Sequence, residues 1–88
     1  DFLDINPAAR VHILLVPKKH IRSINDLEIE DSALISGLFL LAGKMARQEG
    51  VNQSGYKLLF NVEKGGGQEI FHLHLHLLGG WEKGTAPF

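Results

Sequence analysis

Residues 70–78 read IFHLHLHLL, with His72, His74 and His76 alternating with Leu73, Leu75 and Leu77. Side chains alternate faces along a β-strand, so this spacing predicts a strand with three imidazoles on one face and three leucines on the other. At about 3.3 Å per residue the outer imidazoles stand roughly 13 Å apart along the strand. Imidazole titrates near neutral pH, so the strand carries a row of groups able to move protons or attack an electrophile. The leucine face needs an apolar partner, and one other segment supplies it.

That segment begins near Asp31, where Leu34, Ile35, Leu38, Leu41, Ala42 and Met45 fall at helical spacing. The acidic stretch 26–31 suits the positive end of a helix dipole, and Lys44 and Arg47 suit the other end. Gly50 fits a helix C-terminus. Gly37 and Gly43 within the helix suggest close packing against it. Residues 11–16 (VHILLV) read as a strand covered on both faces and ended by Pro17. Residues 56–62 (YKLLFNV) read as a second central strand, and 2–5 as a short one. Residues 63–67 read as a loop, and Gly79-Gly80 as the end of the histidine strand. Strands, one long helix and then strands indicate an α+β fold with a mainly antiparallel sheet.

Eighty-eight residues make one domain. Nine basic against ten acidic residues lack the basic face a duplex nucleic-acid binder needs. The longest apolar stretch, 38–42, is far short of a membrane span. The chain opens at Asp1 with no leader in view, which leads us to expect a cytoplasmic protein missing part of its N-terminus.

Just upstream of the histidines, Gly65, Gly66 and Gly67 allow positive φ and a close approach of backbone to a ligand. Consecutive N–H groups in such a loop form an anion-binding nest. Gln68 and Asn61 add side-chain amide donors. A nest beside a histidine row suits a phosphoryl group, with imidazolium stabilising charge and one imidazole attacking. A histidine-rich strand without function and a metal site are the competing readings. Three collinear histidines do not easily reach one ion on a flat strand.

His72-Leu73-His74-Leu75-His76-Leu77-Leu78 resembles the signature of the histidine triad (HIT) family. Phe2-Leu3-Asp4-Ile5-Asn6-Pro7, Val16-Pro17-Lys18-Lys19-His20-Ile21 and Gly66-Gly67-Gln68-Glu69 resemble other family segments in family order. Leu78-Gly79-Gly80 resembles the branch of histidine-triad nucleotide-binding proteins, the purine nucleoside phosphoramidases. The resemblance implies an antiparallel sheet with a long helix, paired as a homodimer, acting on a purine nucleotide without a required cofactor. It implies that His74 attacks the α-phosphorus, its other ring proton held by a backbone carbonyl of the same strand. His72 and His76 would support the site, with His76 on phosphate oxygens. Asn61, Gly67, Gln68 and Glu69 would hold the phosphate. Asp4 would bind the ribose, and Phe2, Ile5 and Ile21 would line the base pocket.

The chain departs from the family pattern in two places. We expect the family's N-terminal helix and first strand to be absent from this chain, and Glu69 stands where the animal branch has a serine. A carboxylate cannot donate to phosphate, although the Glu69 backbone N–H can. Some members hold zinc with an N-terminal Cys-x-x-Cys and the two histidines that are His20 and His72 here. This chain has no cysteine, so zinc stays open. His20 is otherwise expected to link its turn to the site strand, and His12 to be a hydrogen-bonded structural residue. Trp81 is left between a pocket rim and a subunit interface. The alternatives to a phosphoramidase are a dinucleoside polyphosphate hydrolase of the same family and a nucleotide-binding scaffold. His76 speaks against the transferase branch, which has glutamine at that position.

Overall fold

The structure, a computed structural model, describes residues 9–81 and 84–86. Among the described residues, three strands and one α-helix make up the regular core: β1 (Ala9–Leu15), α1 (Ser32–Gln48), β2 (Tyr56–Leu59) and β3 (Leu75–Trp81). The sheet order is β1-β3-β2 and both pairings are antiparallel, as expected for an α+β chain. The strand expected over 2–5 lies outside the described residues.

β3 is the central strand, and its consecutive residues from Leu75 to Gly79 are buried, so both of its faces are covered. Leu75 and Leu77 are fully buried and join Leu38, Ala42 and Ala46 of α1, with Val11, Leu15 and Val51, in one apolar core. The three α1 residues sit four apart, one turn above another, which makes a narrow stripe toward the sheet. On the opposite face, His76 and Leu78 are also buried. The register pairs Leu14 with His76 and His12 with Leu78. Directly opposed residues share a face, so β1 places His12 diagonally from His76.

Several details differ from the sequence expectation. The histidine strand begins at Leu75 rather than residue 70 and runs through the glycines to Trp81. Leu15 pairs with Leu75, and the next residues of β1 lead to Pro17, which has no N–H for the ladder. His72 and His74 therefore precede the strand proper. Leu73 keeps one strand-like bond, its N–H donating to the carbonyl of Ile21 at 2.6 Å. At the other end, Gly79 lies in the strand because a Cβ there would stand 3.1 Å from Val51 Cβ and 3.3 Å from Tyr56 Cβ. β2 is shorter than expected, ending at Leu59. The helical glycines do not mark close packing: nothing lies within 4 Å of a Cβ built on Gly37, and only Arg47 does on Gly43. Leu41, assigned to the core stripe by its spacing, is 41% exposed. β1 is an edge strand among the described residues, so only Val11 and Leu15 are buried in it.

The turn after β1 is tied to the helix start. The buried Asp31 carboxylate accepts from the Glu28 N–H at 2.9 Å and from Lys19 Nζ at 2.5 Å. Lys19 and that N–H hold the carboxyl below its ordinary pKa. This bond fixes the segment that carries Pro17 and His20 beside residue 72. Replacing Leu77 by Ala should cost about 2–5 kcal/mol, since no solvent-exposed route relieves the cavity. Urea denaturation measures it, and a cost well under 1 kcal/mol would contradict this packing.

Candidate active site

The site is built where the buried histidine face of β3 meets the 61–68 segment. His76 is 0% exposed and its two ring nitrogens face two different partners. Nε2 lies 3.2 Å from Asn61 Nδ2, and Nδ1 lies 3.2 Å from His12 Nε2. An amide NH2 can only donate, so Asn61 donates to His76 Nε2. His76 then carries its proton on Nδ1 and donates it to His12 Nε2, which places the His12 proton on its own Nδ1. His12 was expected to be structural, and the structure places it against a triad histidine. The signal that finds it is cross-strand register, which a single strand's pattern does not contain.

His74 is 7% exposed and packs edge-on against His76, with ring centroids 5.0 Å apart. Its Nδ1–H donates to the carbonyl of His72 at 2.7 Å, a carbonyl having only acceptor capacity. The proton on Nδ1 puts the lone pair on Nε2, the tautomer a nucleophilic imidazole requires. His72 is turned differently: its Nε2–H donates to the Pro17 carbonyl at 3.0 Å, and its ring meets His20 edge-on at 4.8 Å. The three triad residues are thus joined by His72 carbonyl to His74 and by ring contact to His76, rather than lying as three equivalent groups. His20 and His72 are adjacent, yet no group of three or more metal-binding side chains occurs among the described residues. Those two imidazoles alone do not make a zinc centre.

Burial sets the charge of His76. His76 is pushed down to about 4, first by burial and then by His74 and His12, and burial also lowers His12. At neutral pH His76 is uncharged, so the expected imidazolium is absent at this position, and its one N–H is already given to His12.

The glycine loop differs most from expectation. The N–H groups of Gly66 and Gln68 both donate to the Glu63 carbonyl at 3.0 Å, and that of Gly67 to the Lys64 carbonyl at 3.0 Å. The buried Gln68 amide is occupied as well: Oε1 accepts from the Glu63 N–H at 2.8 Å, and Nε2 donates to the carbonyls of Arg22 at 2.8 Å and Ile70 at 3.1 Å. The Gly66 and Gly67 N–H groups expected in a nest are spent within the loop, and the Gln68 amide expected to reach phosphate is spent on Glu63, Arg22 and Ile70. The loop is a braced platform against Asn61, whose Cγ lies 4.0 Å from a Cβ built on Gly67. Glu69 is exposed at its end. Ile21 is buried with its carbonyl on Leu73, and Phe2, Asp4 and Ile5 lie outside the described residues.

The model of the HIT domain family matches residues 1–83. The chain belongs to the HIT family. It is 43% identical over 79 residues to the purine nucleoside phosphoramidase of Escherichia coli K12, covering 90% of this chain and 66% of that protein. It is 45% identical over 78 residues to protein HitA of Neisseria gonorrhoeae, covering 89% and 72%. Among solved structures, a HIT family hydrolase from Legionella pneumophila Philadelphia 1 superposes with a TM-score of 0.84 at 51% identity, covering 92% of this chain and 71% of that one. A histidine triad protein from Clostridium difficile gives 0.85 at 38% identity, covering 97% and 71%. This HIT chain thus spans just under two thirds of the length of its E. coli relative. No helix among its described residues is long and apolar enough to cross a membrane.

The lowered His76 value carries a pH prediction. A histidine held below its ordinary 6.5 favours folding in its neutral form, so its contribution is complete above about pH 6.5 and is lost as pH falls toward about 4. Urea melts of the parent should weaken from pH 7 to pH 5, and His76→Gln should flatten that dependence. Equal slopes in the two proteins would contradict a buried neutral His76.

Proposed function

We propose that this HIT hydrolase cleaves the P–N bond of purine nucleoside phosphoramidates through a covalent nucleotidyl-His74 intermediate. The observation that carries the reading is the 2.7 Å bond from His74 Nδ1–H to the His72 carbonyl, beside an uncharged His76. As Nε2 attacks the α-phosphorus, positive charge develops on the ring, and that carbonyl dipole stabilises it without reorganising. The leaving nitrogen takes a proton from solvent, its bond to phosphorus breaks and it departs as an amine. Water then attacks the phosphorus, breaks its bond to His74 and releases the nucleoside monophosphate. His72 supports the site by presenting that carbonyl. The second Asn61 N–H and the Glu69 backbone N–H are the groups we assign to phosphate oxygens, with His76 orienting Asn61 and with Gly67 and Gln68 shaping the loop that holds them. Asp4, Phe2, Ile5 and Ile21 are assigned to the nucleoside. The E. coli relative's name supports the substrate class.

The Glu69 carboxylate, exposed beside the loop, would favour a cationic leaving group such as a lysine amine. No metal is required in this scheme, and the cytoplasm is its expected location. We take the acting species to be a homodimer. Leu40 is 76% exposed on α1, with Leu41 and Phe39 beside it, and a second copy would cover that surface.

His74→Ala should abolish turnover of an adenosine phosphoramidate, by about a thousandfold or more. Substantial residual activity would sink the assignment, and faster cleavage of diadenosine tetraphosphate than of an AMP-amine would move it to the polyphosphate branch. AMP binding with no turnover of any phosphoramidate would favour a scaffold. Glu69→Ser should narrow the preference for lysyl over neutral amides, and an unchanged preference would remove Glu69 from specificity. In sedimentation, Leu40→Glu should shift a dimer toward monomer; a monomeric parent would refute the dimer.

A further inference from the structure

Glu63 has φ 61° and ψ 175°, and it is the one non-glycine residue at positive φ among those described. That region is open essentially to glycine, and other residues stay in it only when their surroundings over-determine them. Here they do. Arg22 grips the carboxylate with both ends, Nη1 donating to Oε1 at 2.9 Å and Nη2 to Oε2 at 2.6 Å. The Ser23 hydroxyl donates to Oε2 at 2.6 Å and Asn25 Nδ2 donates to it at 3.2 Å. Arg22 is itself held by Asp26 and lies over the Phe71 ring at 5.7 Å. Charge-assisted and bidentate bonds of this kind fix orientation as well as adding energy.

The backbone of the same residue organises the loop. The Glu63 N–H and carbonyl together make three of the bonds that close residues 63–68 into a ring, with Gln68 and Gly66 as partners. Two residues upstream is Asn61, which donates to His76. Glu63 is thus the point where a surface clasp and the phosphate-side loop meet.

We propose that Glu63 is a positioning residue for the reaction: its clasp by Arg22, Ser23 and Asn25 holds a glycine-like backbone turn, and that turn sets Asn61 and the 64–68 loop against the triad. The clasp touches no substrate and acts through Asn61 and the loop. The activity arm of this inference rests on the phosphoramidase reading, and a second arm does not.

The experiment compares the parent with Glu63→Gly, Glu63→Ala and Glu63→Gln. Kinetics on an adenosine phosphoramidate are read beside thermal melts and amide hydrogen exchange at Gly66, Gly67 and Gln68. Glu63→Gly removes the clasp but permits the backbone, so the melting temperature should hold while kcat falls about tenfold to a hundredfold, with KM little changed. The three amides should exchange about tenfold faster or more. Glu63→Ala, which loses the clasp and keeps the strain, should fall further, and Glu63→Gln, which retains acceptor oxygen, should recover part of kcat. Parent kcat and parent exchange in Glu63→Gly would overturn the proposal. So would a kcat loss that only follows the folded fraction, or faster exchange with kcat unchanged. If the parent cleaves no phosphoramidate, the functional reading fails, and the exchange rates with the Asn61 side-chain amide resonance decide whether the clasp sets the loop.

Discussion

Burial of Leu75 and Leu77 against Leu38, Ala42 and Ala46 decides where the site histidines point. β3 lies between two strands, so its period of two has no freedom to slip without moving those leucines off the helix. His76, one residue out of phase with them, is carried to the opposite face and buried there. From that placement follow its contacts with His12 and Asn61, its lowered basicity and its neutrality at physiological pH. The chemistry proposed for His74 then takes place beside a neutral relay rather than in a field of imidazolium charge.

The site also depends on the end of the sheet. Because Pro17 cannot continue the ladder, the chain before Leu75 leaves regular pairing, and the His72 carbonyl can accept the His74 ring proton. A regular strand would commit such a carbonyl to its neighbour. The Pro17 carbonyl in turn fixes the His72 ring, and the Lys19–Asp31 pair fixes the Pro17 turn to the start of α1. Helix, turn and histidine are therefore linked in one chain of contacts from the core outward.

Much of this was legible in the sequence. The His-Leu alternation marked the strand and its two faces from Leu75 onward though not at His72 and His74, the helical stripe at Leu38 and Ala42 specified its cover, and the motif segments specified the family. What stayed hidden depends on contacts between distant segments. His12 looks like a structural residue until the register sets it diagonal to His76. The glycine run reads as a donor nest, yet the carbonyls of Glu63 and Lys64 take the Gly66 and Gly67 N–H groups within the loop. Composition gives no sign that a glutamate occupies a glycine conformation, because the compensation comes from Arg22, forty-one residues upstream. Gly37 and Gly43 suggested close packing, and the space beside them is open.

In the proposed reaction His74 becomes covalently bonded to phosphorus. Rapid-quench intact-mass analysis of the protein mixed with an adenosine phosphoramidate tests it most directly. The expected result is a transient species heavier by one adenylyl group, carried on His74 and consumed as nucleoside monophosphate appears. Steady turnover with no adduct, and with water oxygen displacing the amine in a single inverting step at phosphorus, would contradict it.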